Sequence, residues 1–467
     1  MAVTDVDKPR EECGVFAVAG KSQDVPAASY AYLGLYALQH RGQESCGIAS
    51  SNGDILTYRK GMGLVSEVFR EREFDELKGH MAIGHVRYST TGDSQIENAQ
   101  PIVGASRLGK IAVAHNGNLV NTQYLKSSLE REGVVFQSSS DSEFFLHLAA
   151  RSGMDNLEDA VLHAARAIEG AYSLVVLSPE AVVSLRDPLG MRPLVVGENQ
   201  DAYFFASETC ALDAVGASYV KELAPGEMAA FRDGHINFIQ ALPSTRRAMC
   251  IFEFIYFART DSVIGGKNVH IVRKKLGETL AKESPCEADM VIAAPDSGIS
   301  AAIGFAEESG ISYDTGLSRN RYIGRTFIQP TQELRELGVK IKLNPIADLV
   351  RSKRVVVVDD SIVRGTTSAK ALSMLRAAGA REVIMYVASP PIKYPCFYGI
   401  DTPDRRELIA AQYDTGRIAQ LIGADRLSYL SVDGLLSVVG PREEFCLACL
   451  TGEYPTRLPG TEGGALK

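Results

Sequence analysis

The first half of the chain alternates short apolar runs with turn residues, a spacing that is typical of β-strands. Runs rich in aliphatic, β-branched and aromatic residues predict strands at 14–18, 111–114, 171–178, 181–186 and 202–206. The dipeptide Asp233-Gly234 predicts a hairpin turn between two further strands. Helical patterns interrupt the strands at 142–151 and 157–168. This half therefore predicts an α+β domain in which strands predominate.

The second half follows a different plan, in which a continuous apolar run leads into a polar loop and then a helix. The apolar runs predict buried strands at 290–294, 354–358 and 383–388. One helix is expected to end before Gly310 and another before Gly379, since glycine commonly follows a helix. Apolar strands joined through helices predict an α/β domain with a parallel sheet covered on both faces. The Pro-, Ser- and Arg-containing stretch 241–249 marks the boundary between the halves.

Charge and composition exclude several classes of protein. The chain has 467 residues with 49 Lys or Arg and 57 Asp or Glu, so its formal net charge is −8. That sign argues against nucleic-acid binding driven by counterion release. No apolar run approaches the roughly 18 residues of a membrane span, and no secretory signal is evident. Eight cysteines in so long a chain are far from the density of a disulfide scaffold. We expect a multidomain cytoplasmic protein whose thiols serve catalysis, metal binding or packing.

A polar loop after the four-valine run carries the strongest single chemical signal. The run ends in Asp359-Asp360, and the loop that precedes the next helix contains Ser361, Arg364, Gly365, Thr366 and Thr367. Ligands of parallel sheets bind beyond the carboxyl ends of the strands. Backbone N–H groups and hydroxyls at a helix N-terminus suit a phosphate, and adjacent carboxylates suit ribose hydroxyls or Mg²⁺. The alternative is an acidic turn followed by an ordinary helix cap.

This loop resembles the phosphoribosyl-diphosphate signature of the type I phosphoribosyltransferases. The resemblance implies that Asp359 and Asp360 hold the ribose hydroxyls and one Mg²⁺ per chain, and that 361–367 cradle the 5′-phosphate. It also implies that Asp296, Ser297 and Gly298, in the PDSG segment, bind the diphosphate, with Ser297 touching the metal.

Cys13 begins the first predicted strand, where a lone cysteine is more often a buried packing residue than a nucleophile. Its context changes that interpretation, because five motifs follow in order: ECGVFAV, HRGQES, GHVRYSTTG, HNGNLVN and SSSDSE. Together they resemble the class II glutamine amidotransferases, which are N-terminal nucleophile hydrolases. Five ordered motifs are far more specific than any one of them.

The resemblance implies a role for each motif residue. Cys13 would be the nucleophile, Arg87 would pair with the glutamine α-carboxylate, and Asp141 would bind the α-ammonium. Asn116 and the Gly117 N–H would form the oxyanion hole. Taken alone, the same residues have structural alternatives: a surface arginine, a helix cap at Asp141, and a hairpin turn at Asn116-Gly117.

In that family the nucleophile is the first residue of the mature chain. A thiol of ordinary pKa about 8.5 needs a base, which a free α-amine with pKa near 8 can provide. Twelve residues precede Cys13, so its nitrogen is an amide without basicity. We therefore expect 1–12 to be a propeptide that the mature enzyme loses.

The C-x-x-C pair Cys446 and Cys449 is compatible with a metal half-site, a redox pair or chance. Cys250 and Cys396 have aromatic neighbours that would shield a cluster, but spacing alone chooses neither these two residues nor iron–sulfur over zinc. The contexts of all four resemble the iron–sulfur subgroup of the amidophosphoribosyltransferases, which implies one structural [4Fe–4S] cluster per chain. Cys46, Cys210 and Cys286 have no such match, and we expect them to be packing residues.

The order of the two halves makes nearly the whole chain resemble the amidophosphoribosyltransferases. The resemblance implies a propeptide at 1–12, a glutamine amidotransferase domain at 13–245, and a phosphoribosyltransferase domain with a cluster-binding C-terminal segment at 246–467. Glutamine, 5-phosphoribosyl 1-diphosphate and water would give 5-phosphoribosylamine, diphosphate and glutamate, the first committed step of purine biosynthesis.

The resemblance also implies a homo-oligomer that purine nucleotides inhibit. The segment 319–342 is expected to close over the diphosphate, with Lys342 in contact with it. Two rivals are another class II amidotransferase, such as a hexosamine-phosphate or glutamate synthase, and a non-catalytic regulatory protein. The phosphoribosyl-type loop argues against the first, and the intact Cys13, Arg87, Asn116 and Asp141 argue against the second.

Overall fold

The computed structural model describes residues 13–88, 94–320, 343–400, 402 and 404–458. The predicted propeptide 1–12, Lys342 and nearly all of the predicted closing segment 319–342 lie outside the described residues.

A seven-stranded antiparallel sheet, here called sheet A, contains the strand that follows Cys13. In spatial order its strands are Ser218–Glu222, Val195–Glu198, Ala202–Ala206, Gly14–Gly20, Met81–Arg87, Ser45–Ser51 and Leu56–Met62. The strand Gly14–Gly20 lies in the middle and is completely buried, because apolar residues occupy both of its faces.

A six-stranded antiparallel sheet, here called sheet B, carries the predicted oxyanion residues. Its strands are His235–Gln240, Glu227–Arg232, Ala181–Arg186, Gly170–Leu177, Gly109–Leu119 and Ile102–Ser106. The predicted hairpin is present, and both turn residues have positive φ, 50° at Asp233 and 79° at Gly234. That geometry matches the right-handed twist of the two strands it joins.

The two sheets pack face to face through a shared apolar layer that includes Val15, Ala112, Phe205 and Phe231. Their outer faces are covered by helices. The helices of this half are Ala27–Ala37, Val65–Val68, Glu71–Phe74, Thr122–Arg131, Ser142–Ala150, Leu157–Ala165 and Thr209–Ala214, with a 3₁₀ turn at Ile96–Asn98. The result is a four-layer helix–sheet–sheet–helix sandwich, which confirms the predicted α+β class.

The second half contains a four-stranded parallel sheet with strands in the order Met290–Ala293, Arg354–Asp359, Glu382–Val387 and Arg426–Tyr429. Alternate residues point to opposite faces, so Val356 and Val358 pack in one core while Val355 and Val357 pack in the other. This confirms the predicted parallel sheet covered on both sides.

Helices supply both covering layers. They are Val269–Glu283, Ile299–Ser309, Ala347–Val350, Thr366–Ala377, Ile409–Gln412, Thr415–Ile422, Val432–Val439 and Ala448–Thr451, with 3₁₀ turns at Arg405–Glu407 and Arg442–Glu444 and a π-helical turn at Glu253–Phe257. Three short strand pairs complete the half: Met249–Cys250 with Phe445–Cys446, Val263–Ile264 with Lys267–Asn268, and Leu317–Arg319 with Leu343–Pro345. No described helix has the length and apolarity needed to cross a bilayer.

The structure corrects one predicted boundary and adds strands that the pattern did not predict, among them Ser45–Ser51, Met81–Arg87 and Arg426–Tyr429. The helix predicted at 157–168 ends at Ala165, since the chain must turn before the strand that starts at Gly170. The strand Arg426–Tyr429 was not predicted, because its four residues include an arginine and a serine and form no apolar run.

Candidate active sites

Cys13 lies at the entrance of the central strand of sheet A, next to the end of the strand Met81–Arg87. Its thiol is buried, and Sγ lies 3.5 Å from the carbonyl oxygen of Tyr88. The Cys13 carbonyl accepts a hydrogen bond of 3.1 Å from Nε of the buried Arg41. Arg41 was not singled out from the sequence, although it stands in the HRGQES motif.

Asn116 and Gly117 lie in sheet B, where they pair with Ser173 and Tyr172. They are therefore inside a strand, and the alternative of a hairpin turn is wrong. Gly117 has a φ of 144°, and a Cβ there would overlap the carbonyl oxygen of Ala171. Only glycine allows the two backbones to approach this closely.

Ser207 connects the strand Gly109–Leu119, which carries the predicted oxyanion residues, to the strand Gly14–Gly20, which follows the predicted nucleophile. Its Oγ accepts a hydrogen bond of 3.0 Å from the N–H of Val15 and lies 3.4 Å from Nδ2 of Asn116. The amide oxygen of Asn116 is buried and has no hydrogen-bond partner among the described residues. Ser207 therefore links Asn116 of sheet B to Val15, two residues after Cys13 in sheet A.

Arg87 and Asp141 are both buried, at 2% and 6% exposed. Nη1 of Arg87 lies 4.0 Å from Oε2 of Glu44, so Arg87 is not a surface arginine. Asp141 precedes the helix Ser142–Ala150, yet its Oδ2 accepts from the Leu119 N–H at 2.9 Å, which ties it to the oxyanion strand. Both residues predicted to bind the ends of an amino acid are therefore buried inside the N-terminal half.

The charge on Asp141 is stabilised by its surroundings. Burial alone would raise its pKa, but the His115 ring and the N–H groups of Leu119 and Ser142 more than offset this and leave the pKa below its ordinary value. Nδ1 of His115 lies 3.6 Å from Oδ1 of Asp141. A buried, ionised carboxylate is suited to an ammonium group.

The second site lies at the carboxyl ends of two neighbouring parallel strands. Asp359 ends one strand, and Asp360 and Ser361 begin the loop; all three are buried. The Asp360 N–H donates to Oδ1 of Asp359 at 2.9 Å, and the Ser361 hydroxyl donates to Oδ1 of Asp360 at 2.6 Å. Gly365, with a φ of 82°, makes the turn into the helix Thr366–Ala377. This helix therefore begins with Thr366 and Thr367 beside the carboxylates.

The PDSG segment touches this loop directly. Gly298 precedes the helix Ile299–Ser309, and a Cβ there would overlap the carbonyl oxygen of Val358 and lie 3.2 Å from the Asp359 Cα. Two helix N-termini thus meet at one edge of the sheet, an arrangement that favours anions. Oδ2 of Asp296 lies 3.2 Å from Nη1 of Arg319, and the side chain of Arg364 donates to Glu407 at 2.9 Å.

The donor set of this edge fits a hard cation. The described residues contain no group of three or more His, Cys, Asp or Glu arranged around a single metal ion. Mg²⁺ does not need one, since it is usually held by one or two carboxylates together with water and substrate phosphates. Asp359 and Asp360, with the Ser297 hydroxyl on the adjacent loop, meet that lesser requirement.

All four predicted cluster cysteines line one small cavity, together with Met191, Arg192, Tyr398, Ile400 and Ala448. Cys250 and Cys446 are in register on two paired parallel strands, and Cys449 lies in the short helix that follows. The Tyr398 N–H donates to Sγ of Cys396 at 3.3 Å. Four thiols drawn from three distant segments thus line one largely apolar cavity. They do not surround a single metal ion, and a [4Fe–4S] cluster with Cys₄ ligation does not require this, because each thiolate binds a different iron.

Burial favours the protonated thiol at Cys446 and Cys449 by raising the pKa of each. Burial raises the pKa of Cys446 to about 12 and places the pKa of Cys449 well above its ordinary value. Metal ligation would release those protons, because a coordinating thiol is deprotonated. Cys46 and Cys210 lie elsewhere, in the core beneath the helix Ala27–Ala37.

The strand that follows Cys13 packs against the strand that carries Asn116 and Gly117, and the same chain holds a phosphate-type loop on a parallel sheet. Together these features define a glutamine amidotransferase coupled to a phosphoribosyltransferase. The comparisons agree. Residues 85–214 match the glutamine amidotransferase domain family. The chain is 50% identical to the amidophosphoribosyltransferase of Bacillus subtilis, covering 96% of this chain and 95% of that protein. It is also 50% identical to the Archaeoglobus fulgidus amidophosphoribosyltransferase, covering 96% and 99%.

The solved structures give the same result. The glutamine phosphoribosylpyrophosphate amidotransferase of B. subtilis, complexed with ADP and GMP, superposes with a TM-score of 0.90 at 50% identity, covering 96% of this chain and 98% of that one. A structure described as the allosteric regulatory enzyme of purine biosynthesis gives 0.92, also at 50% identity, covering 97% and 98%. The chain belongs to the amidophosphoribosyltransferase family.

Proposed function

We propose that this enzyme transfers the amide nitrogen of glutamine to 5-phosphoribosyl 1-diphosphate, giving 5-phosphoribosylamine, diphosphate and glutamate. This is the first committed step of purine biosynthesis. The observation that carries the proposal is the presence, in one chain, of the Cys13 site between two sheets and the Asp359-Asp360 loop on a parallel sheet. The near-complete match to the amidophosphoribosyltransferases supports it.

The first half of the reaction is assigned to the Cys13 site. The thiolate attacks the side-chain amide of glutamine, and Asn116 and the Gly117 N–H stabilise the oxyanion. Arg87 and Asp141 hold the α-carboxylate and the α-ammonium. Ammonia leaves, and water hydrolyses the thioester. Removal of 1–12 frees the α-amine of Cys13, which then serves as the base.

The second half is assigned to the loop around Asp359. Asp359 and Asp360 orient the ribose hydroxyls, while Ser361, Arg364, Gly365, Thr366 and Thr367 surround the 5′-phosphate. Asp296, Ser297 and Gly298, with Lys342, contact the diphosphate. One Mg²⁺ held by Ser297, Asp359 and Asp360 would neutralise charge on the departing diphosphate. Ammonia attacks C1 of the ribose in a site that must exclude bulk water, since free ammonia would be protonated and lost.

The four cysteines Cys250, Cys396, Cys446 and Cys449 are assigned to a structural [4Fe–4S] cluster, and we propose on this basis that the enzyme belongs to the iron–sulfur subgroup. The shared cavity and the Tyr398 N–H directed at Cys396 Sγ support this assignment. We further propose purine-nucleotide feedback, because the related B. subtilis enzyme is described in complex with ADP and GMP. The proposal of a homo-oligomer rests on the family resemblance alone.

The Cys13→Ala variant tests whether glutamine hydrolysis and phosphoribosyl transfer take place at separate sites. It is expected to lose glutamine-dependent synthesis, by at least about a thousandfold, and to keep ammonia-dependent synthesis within about twofold. The control is Cys286→Ala, a partly exposed cysteine that has neither predicted role. Equal loss of both activities in Cys13→Ala would contradict the two-site proposal.

A further inference from the structure

Glu253 is a wholly buried carboxylate that joins the two halves of the molecule. Its oxygens accept from both terminal nitrogens of Arg41, at 3.0 and 2.8 Å. Oε1 of Glu253 also lies 3.7 Å from Nη1 of Arg192, another fully buried arginine. Both arginines come from the N-terminal half. A buried bidentate pair of this kind is geometrically specific, and removal of one partner leaves an uncompensated charge.

The Arg41 side of this bridge leads to the nucleophile. Nε of Arg41 donates to the carbonyl of Cys13 at 3.1 Å, and Nη1 also donates to Glu208 at 2.6 Å. The three guanidinium nitrogens of Arg41 are thus held by one backbone carbonyl and two carboxylates. The position of Cys13 therefore depends on where Glu253 holds the guanidinium plane.

The Arg192 side leads to the oxyanion strand. Nη2 of Arg192 donates to the carbonyl of Tyr398. The next residue, Gly399, packs so closely that a Cβ there would lie 3.0 Å from the Gly117 carbonyl carbon and 3.1 Å from Nη2 of Arg192. Nδ2 of Asn118 donates to the Phe397 carbonyl at 2.9 Å. The segment 397–399 thus supports the backbone of the proposed oxyanion hole.

The far side of Glu253 is anchored in the C-terminal half. Glu253 begins the π-helical turn Glu253–Phe257, a geometry that is rare and frequently found at functional sites. The buried Arg273 donates to the carbonyls of Phe254 and Ala258, at 2.7 and 2.8 Å. Phe254 packs in the same core as Val358, one residue before Asp359. The turn is therefore rigidly attached to the phosphoribosyl half.

We propose that Glu253 is a positioning residue of the glutaminase supplied by the C-terminal half, which holds Cys13 through Arg41 and the Gly117 backbone through Arg192 and the segment 397–399. This inference rests on the proposed function of the Cys13 site. Its physical basis is that acyl transfer requires the thiol and the oxyanion donors in register, and a misplacement of about 1 Å can cost about a hundredfold in rate.

The test compares Glu253→Gln, Glu253→Asp and Glu222→Gln in the full-length enzyme. Glu222 is the control, because it is a partly buried carboxylate that also joins the halves: it accepts from Arg186 at 2.7 Å, Arg247 at 3.2 Å and the Gly265 N–H at 2.8 Å. Glutamate release, ammonia-dependent synthesis and alkylation of Cys13 by a glutamine-analogue electrophile are measured, together with the thermal midpoint.

Glu253→Gln is expected to lower kcat for glutamine hydrolysis about 10- to 100-fold, with KM for glutamine and ammonia-dependent synthesis changed less than about twofold. Cys13 alkylation should slow in parallel, Glu253→Asp should recover part of the rate, and Glu222→Gln should retain it. Unchanged glutamine hydrolysis in Glu253→Gln would overturn the proposal, as would loss of both activities in step with the thermal midpoint.

If Glu253→Gln does not fold, Glu253→Asp decides the matter by the same kcat and alkylation measurements, since it keeps the charge but shortens the reach. A Cys13→Ala enzyme that still hydrolyses glutamine would refute the proposed function itself. Normal glutamine hydrolysis in the Glu253 variants, beside a Cys13→Ala enzyme that no longer hydrolyses glutamine, would refute only the positioning role.

Discussion

At the scale of single residues, hydrogen bonds between side chains and backbone groups position the proposed reacting residues. The Arg41 side chain donates to the Cys13 carbonyl, while the N–H groups of Leu119 and Asp360 donate to the carboxylates of Asp141 and Asp359. The last two bonds hold a carboxylate directly, whereas the first holds the backbone of Cys13. Substitutions that keep volume but change charge or nucleophilicity therefore test function with little disturbance of the fold.

Asp359→Asn and Asp360→Asn are each expected to lower synthesis from either nitrogen source by about 10- to 100-fold, because both sources share the phosphoribosyl site. Initial rates with glutamine and with ammonia give the result. The control is Asp289→Asn, which removes a carboxylate at the other end of the strand Arg354–Asp359, where it accepts from the Arg354 N–H at 2.7 Å. Full synthesis in the double Asp359/Asp360 variant would remove the phosphoribosyl assignment.

Glu143 gives the glutamine site a predictable pH dependence. Burial would raise the pKa of Glu143. Hydrogen bonds lower it instead, from an ordinary 4.5 to about 2; the donors are the His147 ring, the Gln137 N–H, and the hydroxyl and N–H of Ser138. A carboxyl whose pKa is depressed in the folded state stabilises that state fully above its unfolded pKa, and loses this contribution as the pH falls toward the folded value. Glu143 orders the segment 137–140, which leads to Asp141.

Glu143→Gln should therefore lower the thermal midpoint by a constant amount from pH 8 to about pH 5.5, and the gap to the wild type should narrow below about pH 4.5. The KM for glutamine should rise, since Asp141 is less well placed. Glu132→Gln, at an exposed ion pair with Arg151, is the control and should show neither effect. A gap that widens on acidification would contradict the assigned role.

At the scale of elements, the predictable parts were those with a strong local pattern. The apolar runs at 290–294 and 354–358 predicted parallel strands, because a strand buried on both faces has no polar alternation. Asn116-Gly117 is locally a turn signal, but the long pairing with the strand Gly170–Leu177 overrides it. The alternative of a turn therefore failed through tertiary context, and the oxyanion role that the family motif implies stays a prediction.

Partners distant in sequence were not predictable. Glu253 and Arg192 meet through packing of the two halves, whereas Ser207 reaches Asn116 through packing of the two sheets inside the N-terminal half. No spacing in the chain signals either contact. Arg41 stands in the HRGQES motif, which marks the residue but does not indicate its contact with Cys13. The cysteine set was predictable from the family resemblance, and its convergence on one cavity is a tertiary property that spacing could not establish.

The cysteine cavity predicts a measurable metal content. Enzyme purified without oxygen should be brown and contain about four iron and four sulfide per chain. Cys446→Ser should lose iron and stability, whereas Cys286→Ser should keep its iron, since Cys286 does not line the cavity. A colourless wild-type enzyme with one tightly bound zinc would contradict the iron–sulfur assignment and support a structural zinc.

At the scale of the whole molecule, the proposed function combines glutamine hydrolysis and phosphoribosyl transfer in one chain. The glutaminase produces a small neutral nucleophile, and the phosphoribosyl site consumes it. Buried ion pairs across the junction, among them Arg41 with Glu253 at 2.8 Å, tie the two halves together. Through these ion pairs, substrate binding in one half can influence the other half. We therefore expect glutamine hydrolysis to depend on the second substrate.

The most direct test is the rate of glutamate release with and without 5-phosphoribosyl 1-diphosphate, measured on enzyme whose intact mass shows a chain beginning at Cys13. The account predicts rapid release only when that substrate and Mg²⁺ are present, with one diphosphate formed for each glutamate. Release that is indifferent to 5-phosphoribosyl 1-diphosphate, or full activity in a chain that retains Met1–Glu12, would contradict it.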